Sequence, residues 1–242
     1  MTTRLDRRGF MGFCGKSALA AGMAGAAGTL PTAAMADLLE DAPTIKLLDK
    51  DGAPLKASAL APNTTLIFNY PYVATPVMLI VLDAPTEVDT QTKDGEGHTY
   101  LWQGGVGPER NIVAYSAICA HLLSYVGHET AFLHYSPEEN EYGHAKVISC
   151  CAHGSSYDPA NGAKVVTGPA EYPLATVNLA YDEADDSISA IGVIGTELFK
   201  KFYDSYRQDL RSEYGRAKYR KIVTEGAVAV PIDEYSQYVL DC

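Results

Sequence analysis

Two short stretches, Cys119-Ala120-His121 and Cys150-Cys151-Ala152-His153, decide how this 242-residue chain is read. Each brings one thiol and one imidazole close together, so the pair of stretches offers two sulfur and two nitrogen donors from two separate loops. Donors of that kind and number point to a metal site. A single zinc ion also takes two cysteines and two histidines, but a zinc finger puts both cysteines on one loop and both histidines on the other. Here each loop supplies one of each, which suits two irons shared between the loops. Scattered core cysteines and satisfied histidines would need all four spacings to coincide by chance.

The residues around both stretches sharpen this. His153-Gly154-Ser155-Ser156-Tyr157-Asp158 resembles the H-G-S-x-Y run of the Rieske subunits of cytochrome bc complexes, and Gly168-Pro169-Ala170 resembles their G-P-A loop. Upstream, Gly104-Gly105-Val106-Gly107-Pro108 and Ile112-Val113-Ala114-Tyr115-Ser116 resemble the approach to the first ligand loop in the small Rieske subunit of arsenite oxidase. The resemblance covers roughly residues 100–195. It implies a [2Fe–2S] cluster whose ligands are Cys119, His121, Cys150 and His153. It also implies that Ser155 bonds a bridging sulfide and that Tyr157 bonds the thiolate of Cys119. The fold expected from it is mainly β, a Rieske-type antiparallel β sandwich with a small cluster-binding subdomain at about residues 115–172, followed by a C-terminal helix and tail.

Electrostatics gives each position a reason. An oxidised [2Fe–2S] unit held by two thiolates and two neutral imidazoles carries no net charge, so it accepts an electron more readily than an all-cysteine site would. Hydroxyls that donate to sulfur favour the reduced state further. With Ser155 and Tyr157 both present, the expected potential lies roughly between +150 and +300 mV. The free ring N–H groups of His121 and His153 are expected at the tip of the domain, able to release a proton on oxidation and to meet a quinol or a haem edge.

The N-terminus reads differently from the rest. Arg7-Arg8-Gly9-Phe10-Met11 is a twin-arginine motif, followed by an uncharged Ala/Gly-rich run, Ser17–Ala36, that ends in the A-x-A site Ala34-Met35-Ala36. Residues 1–36 are read as an export signal, with the periplasm as destination. The competing reading is an uncleaved anchor at the periplasmic face of the inner membrane, since twenty uncharged residues just span a bilayer. The run is poor in the Leu, Ile, Phe and Val that drive insertion, which favours cleavage. Cleavage after Ala36 removes four basic residues and one acidic one, taking net charge from −11 to −14. So acidic a protein disfavours nucleic acid and suits a basic partner face, such as many c-type cytochromes provide.

The full chain is 47% apolar and 20% charged, enough for a real core. Residues 37–195 read as the β domain. Strand-like runs are Leu66–Tyr70, Val77–Leu82, Thr99–Trp102, Ile112–Ser116, Lys164–Thr167, Leu174–Leu179 and Ser187–Val193. Asp94-Gly95-Glu96-Gly97 is a turn, and His98 beside it is read as a surface or locally bonded side chain. The 28 residues between His121 and Cys150 exceed the gap usual in the resembled family. They carry His128, His134 and His144 with Glu129, Glu138, Glu139 and Glu141, but no tight ligand spacing. They are read as a solvated polar loop with one hairpin or helical turn, running close to the cluster.

Two further features concern the cysteines and the C-terminus. Cytochrome bc Rieske proteins tie their two loops with a disulfide; the matching positions here are Ser124 and Ala152, so that bridge is absent. Cys151 and Cys242 are left over, and an oxidising compartment invites a disulfide between them that would pin the tail beside the cluster. Thr196 opens a helix in which Leu198, Phe199, Phe202, Tyr203, Tyr206 and Leu210 follow a 3.6-residue period, ending near Gly215. That stripe either packs on its own domain or docks a partner subunit. Thr196–Lys221 carries a local charge of +4, an orientation handle on an acidic chain. Ala227–Cys242 is expected to wrap back over the domain or a neighbour.

The function expected is electron relay, with no substrate chemistry of the chain's own. An oxygenase needs a 2-His-1-carboxylate iron site, and no histidine follows His153 in the remaining 89 residues. A Rieske ferredoxin serving an oxygenase is the alternative, disfavoured by the export signal. Ser155, Tyr157 and Gly168-Pro169-Ala170 favour a quinol-oxidising complex with a cytochrome b partner. Gly104–Pro108 and Ile112–Ser116 favour a molybdopterin-subunit partner, as in arsenite oxidase. Membrane contact is expected only if the N-terminal segment is retained.

Overall fold

The computed structural model describes residues 42–242, so the export signal or anchor read at residues 1–36 lies outside it. The strands are β1 (Ile45–Leu48), β2 (Thr65–Asn69), β3 (Pro76–Val81), β4 (Thr90–Lys93), β5 (Thr99–Trp102), β6 (Ile112–Ser116), β7 (Thr130–Ala131), β8 (Leu133–Ser136), β9 (Val147–Cys150), β10 (Ser155–Asp158), β11 (Lys164–Thr167), β12 (Thr176–Asp182) and β13 (Ser187–Ile194). Helices α1 (Glu197–Ser205) and α2 (Arg207–Glu213) follow, then β14 (Ala227–Val228), β15 (Val230–Pro231), a one-turn helix α3 (Ile232–Tyr235) and β16 (Tyr238–Val239).

Eight of these strands form one sheet in the order β14-β1-β13-β12-β6-β3-β2-β15. Its end strands, β14 and β15, are separated in sequence only by Ala229, whose N–H bonds Leu48. The sheet therefore curls until one short segment covers both of its edges, running parallel to β1 and antiparallel to β2. Unpaired sheet edges invite other chains, and this closure removes two at once.

β3 is apolar throughout because both its faces are covered. Alternate residues of β2, β3 and β6 point opposite ways. Phe68, Val77, Leu79 and Ala114 face inward with Ile45, Leu47, Ile188 and the helical residues Phe199, Phe202 and Leu210. Ile67, Met78, Ile80, Val113 and Tyr115 face outward, against Leu133, Ile148 and Tyr157 of a second sheet. That second sheet, in the order β11-β10-β9-β8, is inserted between β6 and β12 and packs on the outer face of the first. The mainly β, two-layer reading holds.

Of three details, the first two differ from the expectations and the third agrees with them. First, the helix opened at Thr196 is two helices, because Tyr206 leaves helical geometry (φ −105°, ψ 20°). Its ring packs edge-on against Tyr125 at 4.9 Å between centroids, a tertiary contact that outweighs helix continuity. The aromatic stripe packs on its own domain, with Leu198, Phe199, Phe202, Tyr203 and Leu210 all buried. Second, the segment between His121 and Cys150 is not simply a polar loop. It contains β7 and β8, and β8 is a full partner of β9, with Leu133 opposite Cys150. Only its central part stays a polar hairpin, and Asn140 pins that part to the sheet. The Asn140 amide donates to the Ser149 and Ser156 hydroxyls at 2.8 and 3.3 Å, while its oxygen accepts from the N–H groups of Tyr142 and His144. Third, Ala227–Cys242 does wrap back over its own domain, through β14, β15 and the parallel pairing of β16 with β7.

Candidate metal centre

The first donor loop leaves β6, the strand read from the sequence as delivering Cys119. Val126 N–H bonds the Ala117 carbonyl, Cys119 N–H donates to Ser124 at 2.8 Å, and Leu123 N–H returns to the Cys119 carbonyl at 3.1 Å. This narrow hairpin exposes His121 in part and Leu122 more fully. The second loop joins β9 to β10, whose ends, Cys150 and Ser155, lie directly opposite one another. Gly154 closes it, donating to the Cys150 carbonyl at 2.9 Å with φ 74°.

A third segment, Gly168-Pro169-Ala170, lies against the second loop. Gly168 has φ +92°, and a Cβ there would fall 2.5 Å from the Ser155 Cα and on the Gly154 carbonyl, so only glycine fits. Ala170 N–H donates to the Ser155 hydroxyl at 3.2 Å. With an acceptor site of its oxygen filled this way, fully buried Ser155 keeps its O–H free to donate toward the loops.

On the two loops the predicted donors stand in two pairs, thiol beside thiol and imidazole beside imidazole. Cys119 and Cys150 are free thiols, 1% and 0% exposed. The imidazoles of His121 and His153 lie edge to face with centroids 5.0 Å apart, His153 exposed. Tyr157, fully buried on β10, holds its hydroxyl 3.2 Å from the Cys119 sulfur. Burial pushes the Tyr157 phenol well up, so it stays protonated and is the donor. Cys119 is held below its ordinary value first by a hydrogen bond from the Cys150 thiol, then by Tyr157 and the backbone N–H groups of His121 and Leu122, all against burial. Cys150 is pushed up, first by its bond to Cys119 and then by burial, although the N–H groups of Ala152 and His153 oppose this.

This donor set fits a cationic metal unit. Two adjacent buried thiols cannot both ionise unaided, because like charges oppose one another, but a cation between them would discharge both protons. The Nδ1 atom of His121 is buried without a hydrogen-bond partner, as a nitrogen reserved for a Lewis acid would be. Both sulfurs lie deep and both imidazoles near the surface, which separates a sulfur side from a nitrogen side.

Other predicted residues fall elsewhere. His98 is locally bonded, its Nδ1 2.9 Å from Asp94, and this raises its pKa. Asp94 also accepts from Glu96 and His98 N–H groups, which builds the turn read at residues 94–97. His128 stacks on Tyr235 at 4.4 Å. Among the described residues neither His128 nor His144 joins a group of metal-binding side chains. Cys151 and Cys242 form a disulfide, with Cα atoms 5.6 Å apart. The sequence reading passed over Tyr142, which packs its ring against Gly154 of the second loop. Only the excess length of the segment that carries it hinted at such a contact.

Buried thiols and paired imidazoles on two loops, beside a tyrosine hydroxyl aimed at sulfur, make a donor set suited to a metal centre. Residues 79–178 match the Rieske [2Fe–2S] domain, a span that takes in both donor loops and Gly168-Pro169-Ala170. The chain therefore carries a Rieske [2Fe–2S] domain over those residues. Among solved structures it is similar to the soluble domain of the Rieske protein II (soxF) from Sulfolobus acidocaldarius. The identity is 27% and the TM-score 0.46, over 65% of this chain and 81% of that one.

Proposed function

We propose that Cys119 and Cys150 hold one iron of the cluster and His121 and His153 the other, and that the protein relays single electrons to a c-type cytochrome-like acceptor outside the cytoplasm. The observation that carries this is the pairing of two buried free thiols with two imidazoles, one of them exposed. The bound cluster supplies one-electron chemistry at a potential raised by its imidazole ligands. The chain's own residues set the terms. Tyr157 donates to the Cys119 sulfur, Ser155 donates into the site, and four backbone N–H groups face the two thiols. Each of these stabilises negative charge, and so favours the reduced state. His153 and Leu122 provide the exposed edge at which a partner comes close enough for transfer.

The donor is a quinol-oxidising cytochrome bc-type complex or the molybdopterin subunit of an arsenite-oxidase-like complex. Export by the twin-arginine route, read from Arg7-Arg8, would carry the folded, cluster-loaded chain to the periplasm. Replacing Cys119, His121, Cys150 or His153 in turn by serine or alanine, and recording iron content and the EPR spectrum of the reduced protein, tests the ligand set. Loss of the cluster in all four is expected. A variant that keeps an unchanged spectrum, or a wild-type protein that takes up one zinc ion in place of iron, would refute the assignment. Changing Arg7-Arg8 to a lysine pair should leave the chain in the cytoplasm, and unchanged export would remove the route.

A further inference from the structure

Outside that centre, three elements bring a second set of soft donors together. β8 carries His134, the start of the second donor loop carries Cys151, and the segment after β16 carries Asp241 and Cys242. The ligand atoms of His134, Cys151 and Cys242 all lie within 4.8 Å of one another. The two sulfurs are joined, yet a disulfide needs no histidine, and this histidine is arranged with some care. It is only 9% exposed. Its Nε2 lies 3.3 Å from the Asp241 carboxylate and its Nδ1 lies 3.8 Å from the Cys151 sulfur. Among the described residues Nε2 makes no hydrogen bond, so the nearby carboxylate favours a proton on Nε2 by charge alone, which leaves Nδ1, the nitrogen beside the Cys151 sulfur, to act as the ligand. Burial pushes the His134 pKa down, which keeps the ring neutral as a ligand must be.

We propose that His134, Cys151 and Cys242 form a thiol-gated site for a soft divalent cation such as zinc, in which the disulfide and the metal are alternative occupants. The geometry suits it. With Zn–S at about 2.3 Å and Zn–N at about 2.0 Å, neighbouring donors of a tetrahedron stand roughly 3.5–3.8 Å apart. The separation of His134 Nδ1 from the Cys151 sulfur already has that value. Only Cys242 has to move, and it lies beyond Leu240, whose N–H bonds Ala131. The chemistry balances. A dithiol reductant gives two electrons and two protons to the disulfide and itself becomes a disulfide. The two new thiols then release two protons as they bind the cation, and His134 completes three ligands with a fourth position open to water. A disulfide oxidant that takes up the two electrons, and is itself reduced to two thiols, rejoins the sulfurs and expels the metal.

The test uses the full chain with its cluster in place, reduced with a phosphine without oxygen and then titrated with zinc against a chromophoric chelator. The expected result is one zinc per chain after reduction and none in the disulfide form, with the cluster's visible spectrum unchanged. Asp241→Asn, at a side chain 95% exposed and therefore harmless to the fold, should weaken zinc binding roughly ten- to a hundredfold. His134→Gln and Cys242→Ser should remove the tight site. The unchanged cluster spectrum separates this site from Cys119 and Cys150, so it stands or falls apart from the electron-relay reading. A reduced chain that binds no zinc while its cluster is intact would overturn the proposal, as would zinc bound equally by the parent and all three variants.

Discussion

Replacing Tyr157 by Phe isolates a single hydrogen bond at the metal centre. The ring is fully buried on β10 between β9 and β11, so phenylalanine fills the same slot and only the oxygen 3.2 Å from the Cys119 sulfur is lost. A hydrogen bond to a charged acceptor contributes about 1.5–3 kcal/mol. The bond exists in both oxidation states, however, and a potential registers only the difference between them. If about half its strength is gained when the added electron enriches the sulfur, the difference is about 0.8–1.5 kcal/mol. One electron converts this at about 59 mV per tenfold change in equilibrium, so the potential should fall by about 35–65 mV. Protein-film voltammetry of parent and variant at one pH measures it directly, with EPR showing that the cluster is retained. A cluster-loaded variant with an unchanged or higher potential would mean that the Tyr157 hydroxyl does not donate to a ligand sulfur.

Gly168→Ala should cost on the order of 2–4 kcal/mol and lower iron content, because the added methyl meets the backbone of Gly154 and Ser155; a thermal melt and an iron assay report both. Cys242→Ser opens a loop closed over a sequence separation of 91 residues, and the chain-entropy argument puts the loss at about 4–5 kcal/mol, measured by denaturant unfolding without reductant. Glu197→Gln should change how stability depends on pH. Burial, reinforced by Asp94 and Glu96, raises the Glu197 pKa, so the folded state holds its proton more tightly than the unfolded one and stability falls as pH rises through that window. The glutamine variant lacks this fall. Its melting temperature should draw level with the parent near pH 4 and gain on it between about pH 5 and 7, whereas parallel curves would show the carboxyl to be fully solvated.

The metal centre was legible because its chemistry is local. Cys119 and His121 sit two residues apart and Cys150 and His153 three, so each loop declares itself without knowledge of the fold, whereas Ser155 and Tyr157 were added by the family resemblance. β6 and β11 were readable to the residue, since both are short apolar or β-branched runs with clear boundaries. β3 was legible as a strand, but the reason for its unbroken apolar run, coverage on both faces, is a tertiary fact. What stayed hidden depended on distant partners. β8 reads Leu-His-Tyr-Ser inside a polar stretch, and only its pairing with β9 makes it a strand. The break at Tyr206 follows from Tyr125, some eighty residues earlier. β14 and β15 have two residues each, too few for any period to show. The Cys151–Cys242 bridge was a possibility by elimination, and proximity in space decides it.

The five residues Ala227–Pro231 bear on how the molecule is made. β1 and β2 emerge early in synthesis, yet each leaves one flank bare until this late segment arrives, with Leu47 waiting for Ala227 across 180 positions of chain. Contacts so remote in sequence slow folding. For most of its time on the ribosome the nascent polypeptide therefore exposes two adhesive flanks, and a stop before Ala227 would leave both open and prone to clump with neighbouring copies.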